Sequence, residues 1–327
     1  MKDAPSGAVL PVVVIAGPTA SGKSGLALEL ALECHGTIIN ADSMQVYRDL
    51  PVLTAQPSVA AQGAVPHRLY GLLALDDACT AARWAQMALA EIKVAVAERR
   101  VPILVGGTGL YLKALLEGFA PIPDVDPAVR EKTRALLAEL GPAALHARLQ
   151  ERDSETAARL RPSDPQRIAR AWEVLESTGR SLAWWQAQPT SPPGPVCALS
   201  LVIDPSRQDL YAACDARFRA MLETGALTEV AAARRRYPGA DENLAGFRAL
   251  GFRELAAHLD GNLPLEEATL AAQQATRQYA KRQGTWFRHQ LRDAILLSAD
   301  AVAMKFSQSS VAETRHKIRD FLLTHSG

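Results

Sequence analysis

The stretch that most restricts what this chain can fold into is VVVIAGPTASGKS, residues 12–24. A β-branched run ends in a glycine turn, and Lys23 and Ser24 then open a helical pattern. Gly17, Gly22, Lys23 and Ser24 occupy the four fixed places of the phosphate-binding loop G-x-x-x-x-G-K-[ST]. Such a loop joins a buried strand to a helix, so it predicts an α/β, three-layer core with a parallel sheet. The expected cradle is Gly17, Pro18, Thr19, Ala20, Ser21, Gly22, Lys23 and Ser24. Backbone N–H groups and the helix N-terminus attract a diphosphate there. Lys23 adds a point charge, and the Ser24 hydroxyl can hold Mg²⁺. The loop alone leaves open whose diphosphate it holds; a nucleotide's is the commonest.

At 327 residues the chain can bury a full core and form more than one domain. Apolar content of 48% and charged content of 22% are ordinary for a soluble globular protein. A formal net charge of +1 rules out a bulk polycation, although a local basic groove would not show in that total. Cys34, Cys79, Cys197 and Cys214 are far apart and fit no zinc or C-x-x-C spacing, so reduced thiols are expected. The opening MKDAPSGAVLP lacks the apolar stretch of a signal peptide, and no apolar run reaches membrane-spanning length. A cytoplasmic protein without membrane association is expected.

After the first strand (10–16) and its helix, the strand TIINA (37–41) delivers Asp42 and Ser43 to the sheet edge where α/β proteins bind ligands. Residues 49–66 show little periodicity and read as a mobile excursion. A helix over 80–99, a strand over 101–107 and a second glycine turn opening a helix complete the first half. The proline-rich APIPDVDP marks a boundary, helical patterns fill 128–187, and QPTSPPGPV closes them. A returning strand at 197–204 makes 1–127 and 188–327 the core and 128–187 a helical insertion. Helices are expected at 206–223, 226–236, 247–258, 266–290 and 309–324.

Several residues could carry chemistry. Asp42 reads as a helix cap, an Mg²⁺-holding carboxylate or a general base. The strand ILVGG ends in glycines and Thr108, with no acid of the kind that holds Mg²⁺ in many nucleotide hydrolases. Thr108 is either an N-cap or a substrate contact. Arg277, Lys281, Arg288 and Arg292 share a face if one helix runs through them, as either a solvated surface or an RNA contact. Arg161, Arg167, Arg170 and Arg180 gather near Trp172, Trp184 and Trp185 with the same two readings. Arg217, within RFRAML, reads by default as an ion-paired surface arginine.

These motifs fall in one order: GPTASGKS, ADSMQVY (41–47), PHRL (66–69), GGTGLYLKALLEG (106–118), SDPQRIARAWEV (163–174), RALGFRE (248–254) and TRQYAKRQGTWFR (276–288). In that order the chain resembles the tRNA dimethylallyltransferases, the IPP transferase family, from about residue 10 to 290. The resemblance implies prenyl transfer from dimethylallyl diphosphate to N6 of the adenosine next to the anticodon, in tRNAs reading codons that start with U. It implies that the loop grips the leaving diphosphate with Mg²⁺ on Ser24, helped by Lys23 and Arg217. It makes Asp42 the base and puts Thr108 at the reaction centre. The adenosine must be flipped out to reach such a pocket. On the tRNA side it implies Asp42, Ser43, Met44, Gln45, Thr108 and Arg130, then Gln166, Arg167, Ile168, Ala169 and Arg170. Arg248, Ala249, Leu250, Gly251, Phe252 and Arg253 follow. The implied partner is a tRNA anticodon stem-loop, bound by a monomer.

The chain departs from the family pattern at Gln56, where a lysine is usual, at Gly71, where an acid is common, and at Thr80–Trp84. An adenylate isopentenyltransferase acting on free AMP, ADP or ATP would share the loop, Asp42 and Thr108 but need no insertion. A small-molecule kinase would need the missing second acid. A nonenzymatic RNA-binding module would leave the loop unexplained.

Overall fold

The computed structural model describes residues 9–240, 244–297 and 307–325; the MKDAPSGA start, read above for its lack of a signal peptide, lies outside them. The chain forms two compact units, 1–116 with 193–327, and 117–192. In the first, strands β1 (Leu10–Ala16), β2 (Gly36–Asn40), β3 (His67–Arg68), β4 (Val101–Gly106), β5 (Val196–Ile203) and β6 (Ile295–Leu297) form one sheet. Its order is β3-β2-β4-β1-β5-β6, and every pairing is parallel. Val13 of the central strand lies opposite Ile103 on one side and Leu199 on the other. Val12 to Ala16 are wholly buried, as expected for a parallel sheet covered on both faces. Each of these valines and Ile15 stabilises the fold by about 1.5–3 kcal/mol.

Helices α1 (Lys23–Glu33), α2 (Val59–Ala64), α3 (Ala81–Ala97) and α4 (Gly109–Leu116) connect the first strands. Thr80 caps α3 by accepting the Arg83 N–H at 3.1 Å, and Trp84 behind it is wholly buried. The glycine turns follow from packing. A Cβ on Gly106 would lie 2.1 Å from the carbonyl of Ala41, so the end of β4 can press against the end of β2 only without a side chain. Gly106→Ala should therefore lower unfolding free energy by about 1–3 kcal/mol in urea titration, as overpacking does. A loss below about 0.5 kcal/mol would show that the two strand ends can separate freely.

The second unit is helical: α5 (Pro127–Arg152), α6 (Ser154–Ala158), α7 (Pro165–Thr178) and α8 (Leu182–Gln186). Gly141, at φ 74° and followed by Pro142, breaks α5 into two helices. Leu145, Leu149, Ala157, Ile168, Ala171 and Trp172 make a separate small core. Its ends are joined by a bridge between Phe119 and Ser191. The unit therefore runs wider than the helical stretch 128–187.

Back in the first unit come α9 (Arg207–Glu223), α10 (Ala226–Arg236), a 3₁₀ turn (Ala245–Arg248), α11 (Phe252–Leu259), α12 (Leu265–Gln290) and α13 (Gln308–His325). The expected helix 247–258 is thus split, because Gly251 takes φ +89° and lies against the Phe218 ring. The expected mobile excursion at 49–66 is instead packed. Leu50 and Leu53 are buried, and the Glu229 carboxylate accepts the N–H groups of Val52 and Leu53, both at 2.8 Å. The expected arginine stripe holds only in part, because one helix, α12, runs through Arg277, Lys281 and Arg288 but not Arg292. Arg277 pairs with Asp215 at 2.5 Å and Arg288 with Asp204 at 3.7 Å, while Arg292 lies beyond the end of α12.

Candidate active site

The loop after β1 turns through two left-handed residues, Ala20 at φ 62° and Gly22 at φ 84°. Left-handed turns of this kind make a concave nest for an anion, and for Ala20 the conformation costs roughly 1–2 kcal/mol. Lys23 folds back so that its ammonium donates to the Pro18 carbonyl at 3.0 Å. Burial lowers the Lys23 pKa from 10.5 to about 8; the Asp42 charge opposes that shift, and Arg217 adds to it. The Ser21 hydroxyl is buried with no hydrogen-bond partner. Thr19 is a partial correction to the expected cradle: its N–H is already donated to the Gln283 side-chain oxygen at 2.8 Å. Ser24 is exposed where α1 begins.

Asp42 follows β2 in a braced turn. Asn40 accepts its N–H at 2.8 Å and donates to its carbonyl at 3.0 Å, with a second bond to the Leu69 carbonyl. One carboxylate oxygen accepts the Met44 N–H at 2.9 Å. The Asn40 carbonyl accepts the Trp84 indole N–H at 2.8 Å, and Trp84 stacks on Tyr111 at 4.6 Å. Across the turn, the Thr108 hydroxyl accepts the Ser43 N–H at 2.9 Å and donates to the Ser43 hydroxyl at 3.2 Å. Thr108 thus does more than cap α4; it ties the Asp42 turn to the end of β4.

Charge converges on this turn. Arg217 on α9 is not a surface arginine paired at the periphery. Burial lowers its pKa, and the charges of Asp42 and Cys214 oppose that shift. Burial raises the Tyr70 phenol well above its usual value, and the Asp42 charge raises it further. Tyr279, close to Thr108 and Gln283, behaves alike. The structure therefore brings Lys23, Asp42 and Arg217 into one electrostatic cluster, and Thr108 adjoins it through its hydrogen bonds to Ser43. A carboxylate close to two cations can accept a proton while the cations hold an anion. Ser24 at the start of α1 offers a single exposed hydroxyl oxygen, a donor that Mg²⁺ accepts. Among the described residues no cluster of acids or histidines forms a cage, and this ion usually takes one or two protein ligands plus phosphate oxygens.

The other expected contacts divide by burial. Arg130, Gln166 and Arg167 are exposed and Arg170 is half-buried, whereas Ile168 belongs to the core of the second unit. Arg167 and Arg170 make 3.5 and 3.8 Å pairs with Asp164 and Glu173. Arg180 lies over Trp184 and Arg152 over Trp172, at 5.1 and 5.0 Å. Arg248 and Arg253 are exposed and Ala249 and Phe252 buried, with Gly251 packed against Phe218. Met44, Gln45, Ala169 and Leu250 are partly buried. Gln45 donates to the carbonyls of Thr54 and Ala55, both at 2.9 Å. The unusual Gln56 donates to the Tyr47 carbonyl at 2.7 Å, and Gly71, at φ +56°, would place a Cβ 3.2 Å from Gln56. The two departures are neighbours.

Asn40, Tyr70, Tyr279 and Gln283 complete the site and are not singled out by sequence. The signal available for the last two was the TRQYAKRQGTWFR run itself.

A parallel α/β core carrying a loop of phosphate-binding form, with a carboxylate near enough to an ammonium and a guanidinium to perturb both, fits a group-transfer enzyme. The comparisons identify which group-transfer family: the chain belongs to the IPP transferase family, whose model matches residues 45–290. It is 57% identical over 285 residues to a tRNA dimethylallyltransferase of Rhodospirillum centenum, covering 87% of this chain and 90% of that one. Against the corresponding protein of Rhodospirillum rubrum, identity is 53% over 317 residues, with 96% of each covered. A tRNA isopentenylpyrophosphate transferase structure from Bacillus halodurans matches with a TM-score of 0.70 at 30% identity, covering 97% and 98%. A eukaryotic dimethylallyltransferase captured acting on tRNA matches with a TM-score of 0.76 at 27% identity, covering 96% and 80%.

Proposed function

We propose that this chain transfers the dimethylallyl group of dimethylallyl diphosphate to N6 of the adenosine next to the anticodon, in tRNAs reading codons that start with U. The observation that carries this reading is the Asp42 turn, braced by Asn40 and Thr108 and electrostatically coupled to Lys23 and Arg217. The adenosine N6 attacks the allylic C1 as the C1–O bond breaks, and its proton passes to the Asp42 carboxylate. Negative charge grows on the departing diphosphate, where the loop N–H groups, Lys23 and Arg217 stabilise it. Ser24, exposed at the start of α1, would hold a Mg²⁺, which would supply further neutralisation of the growing negative charge. The family membership and the similarity to tRNA-acting enzymes support an RNA acceptor. The protein works as a cytoplasmic monomer on an anticodon stem-loop.

Labelled dimethylallyl diphosphate offered with total tRNA and, separately, with AMP tests the reading. Label should enter tRNA alone. Label entering AMP equally well would make the chain an adenylate isopentenyltransferase.

The exposed arginines of the second unit give a further expectation. Their i,i+3 ion pairs are worth less than about 1 kcal/mol, so RNA phosphates can displace the carboxylates. Arg167→Ala with Arg170→Ala should weaken tRNA binding and lower the slope of log affinity against log salt by roughly 1–2. An unchanged slope in filter-binding titrations would remove both from the RNA interface.

A further inference from the structure

Gln283 on α12 uses both ends of its side-chain amide on loops far apart in sequence. Its oxygen accepts the Thr19 N–H at 2.8 Å and its nitrogen donates to the Gly107 carbonyl at 2.7 Å. The side chain is buried, and a Cβ on Gly107 would lie 2.1 Å from that nitrogen, so only glycine leaves room for it. One turn earlier, Tyr279 lies close to both Gln283 and Thr108. One turn later, Trp286 covers Gly109, where a Cβ would meet the indole at 2.3 Å. Residues 279, 283 and 286 lie on one helix face, and that face touches the phosphate loop, the Gly107–Thr108 turn and the start of α4.

We propose that Gln283 is a positioning residue that holds the phosphate loop and the Gly107–Thr108 turn in one register, so that diphosphate and attacking amine meet at reacting distance. The inference rests on the prenyl-transfer reading above. Gln283 acts through its neighbours: Thr19 belongs to the loop that grips the leaving group, and Thr108 holds the turn that carries Asp42. A displacement of about 1 Å at a reacting centre costs roughly 100-fold in rate.

The test uses the full-length protein with saturating dimethylallyl diphosphate and tRNA. In Gln283→Leu, kcat per folded molecule should fall about 100-fold, with both KM values within about three-fold of wild type. A variant that is merely less stable, with kcat per folded molecule within three-fold, overturns the proposal. Gln283→Glu supplies a second readout should the leucine variant not fold. A neutral carboxyl group can accept from Thr19 and donate to Gly107, whereas the ionised form can only accept. Burial raises the pKa of such a group, so the ratio of its kcat to wild type should rise roughly ten-fold between about pH 8 and pH 6. A ratio flat in pH overturns the proposal. Wild-type turnover in the same assay is the control. If the wild type transfers nothing to any acceptor, the functional reading fails and this inference with it; if it turns over and the variants match it, only Gln283 loses its role.

Discussion

Replacing Asp42 by asparagine should cut prenyl transfer by about 10³-fold while tRNA and diphosphate binding stay within a few-fold. The size follows from the loss of a positioned general base, which contributes 10²–10⁴-fold in typical enzymes. Asparagine is the informative substitution because the turn does not depend on the charge. Asn40 braces the backbone of residue 42, and a side-chain amide oxygen can still accept the Met44 N–H. Only basicity and negative charge are removed. Single-turnover measurement with pre-bound substrates reads the chemical step directly. A variant turning over at a third of the wild-type rate or more would take the proton-accepting role away from Asp42. The same substitution removes a charge that supports the Lys23 ammonium, so any remaining activity should decline at a lower pH than in the wild type.

The second large effect concerns Lys23. Lys23→Ala should reduce kcat/KM for dimethylallyl diphosphate by about 10²–10³-fold, the usual cost of one missing donor at a site of developing negative charge. A change below about three-fold would remove the ammonium from the site. The wild-type pH dependence gives an independent check. With a pKa near 8 in the folded protein, the ammonium is present below that pH and lost above it. The kcat/KM profile, which reports the free enzyme, should therefore fall above about pH 8. In Lys23→Arg the guanidinium does not titrate there, so this limb should vanish from whatever activity remains. Stability runs the other way. The folded pKa lies below the unfolded value of 10.5, so between about pH 8 and 10.5 the unfolded chain binds more protons at this position. This group's contribution to the stability of the unliganded protein should then rise with pH across that window. Melting temperatures of wild type relative to Lys23→Ala read it.

Much of this architecture is legible in the residues themselves. The phosphate-loop strand, its helix and the two glycine turns follow from local pattern, and most long helices end within a residue or two of where the sequence places them. The two shortest strands escape notice, because His67–Arg68 and Ile295–Leu297 are too brief to show a period. The segment 49–66 looks loose because what holds it is remote: the Glu229 carboxylate that satisfies Val52 and Leu53 lies 177 residues away from Val52. Arg217 has an ordinary helical context, and only the third dimension shows it desolvated beside Asp42. Asn40 and Trp84 read as strand end and helix core, yet their hydrogen bond at 2.8 Å supports the turn carrying the proposed base. Local chemistry writes the loop and the carboxylate; long-range hydrogen bonds decide how they are held.

The tether from Gln283 to Thr19 spans 264 residues, and the central strand finds its partner β5 only beyond the second unit. During synthesis, GPTASGKS leaves the ribosome well before either of these supports, β5 and Gln283, has been made. Contacts of such sequence separation form slowly, because a long loop must close before they are rewarded. A chain arrested before residue 283 would carry the whole phosphate-binding signature and the Asp42 turn without the amide that joins the phosphate loop to Gly107. Emergence of α12 is then what supplies the tether between the phosphate loop and the end of β4.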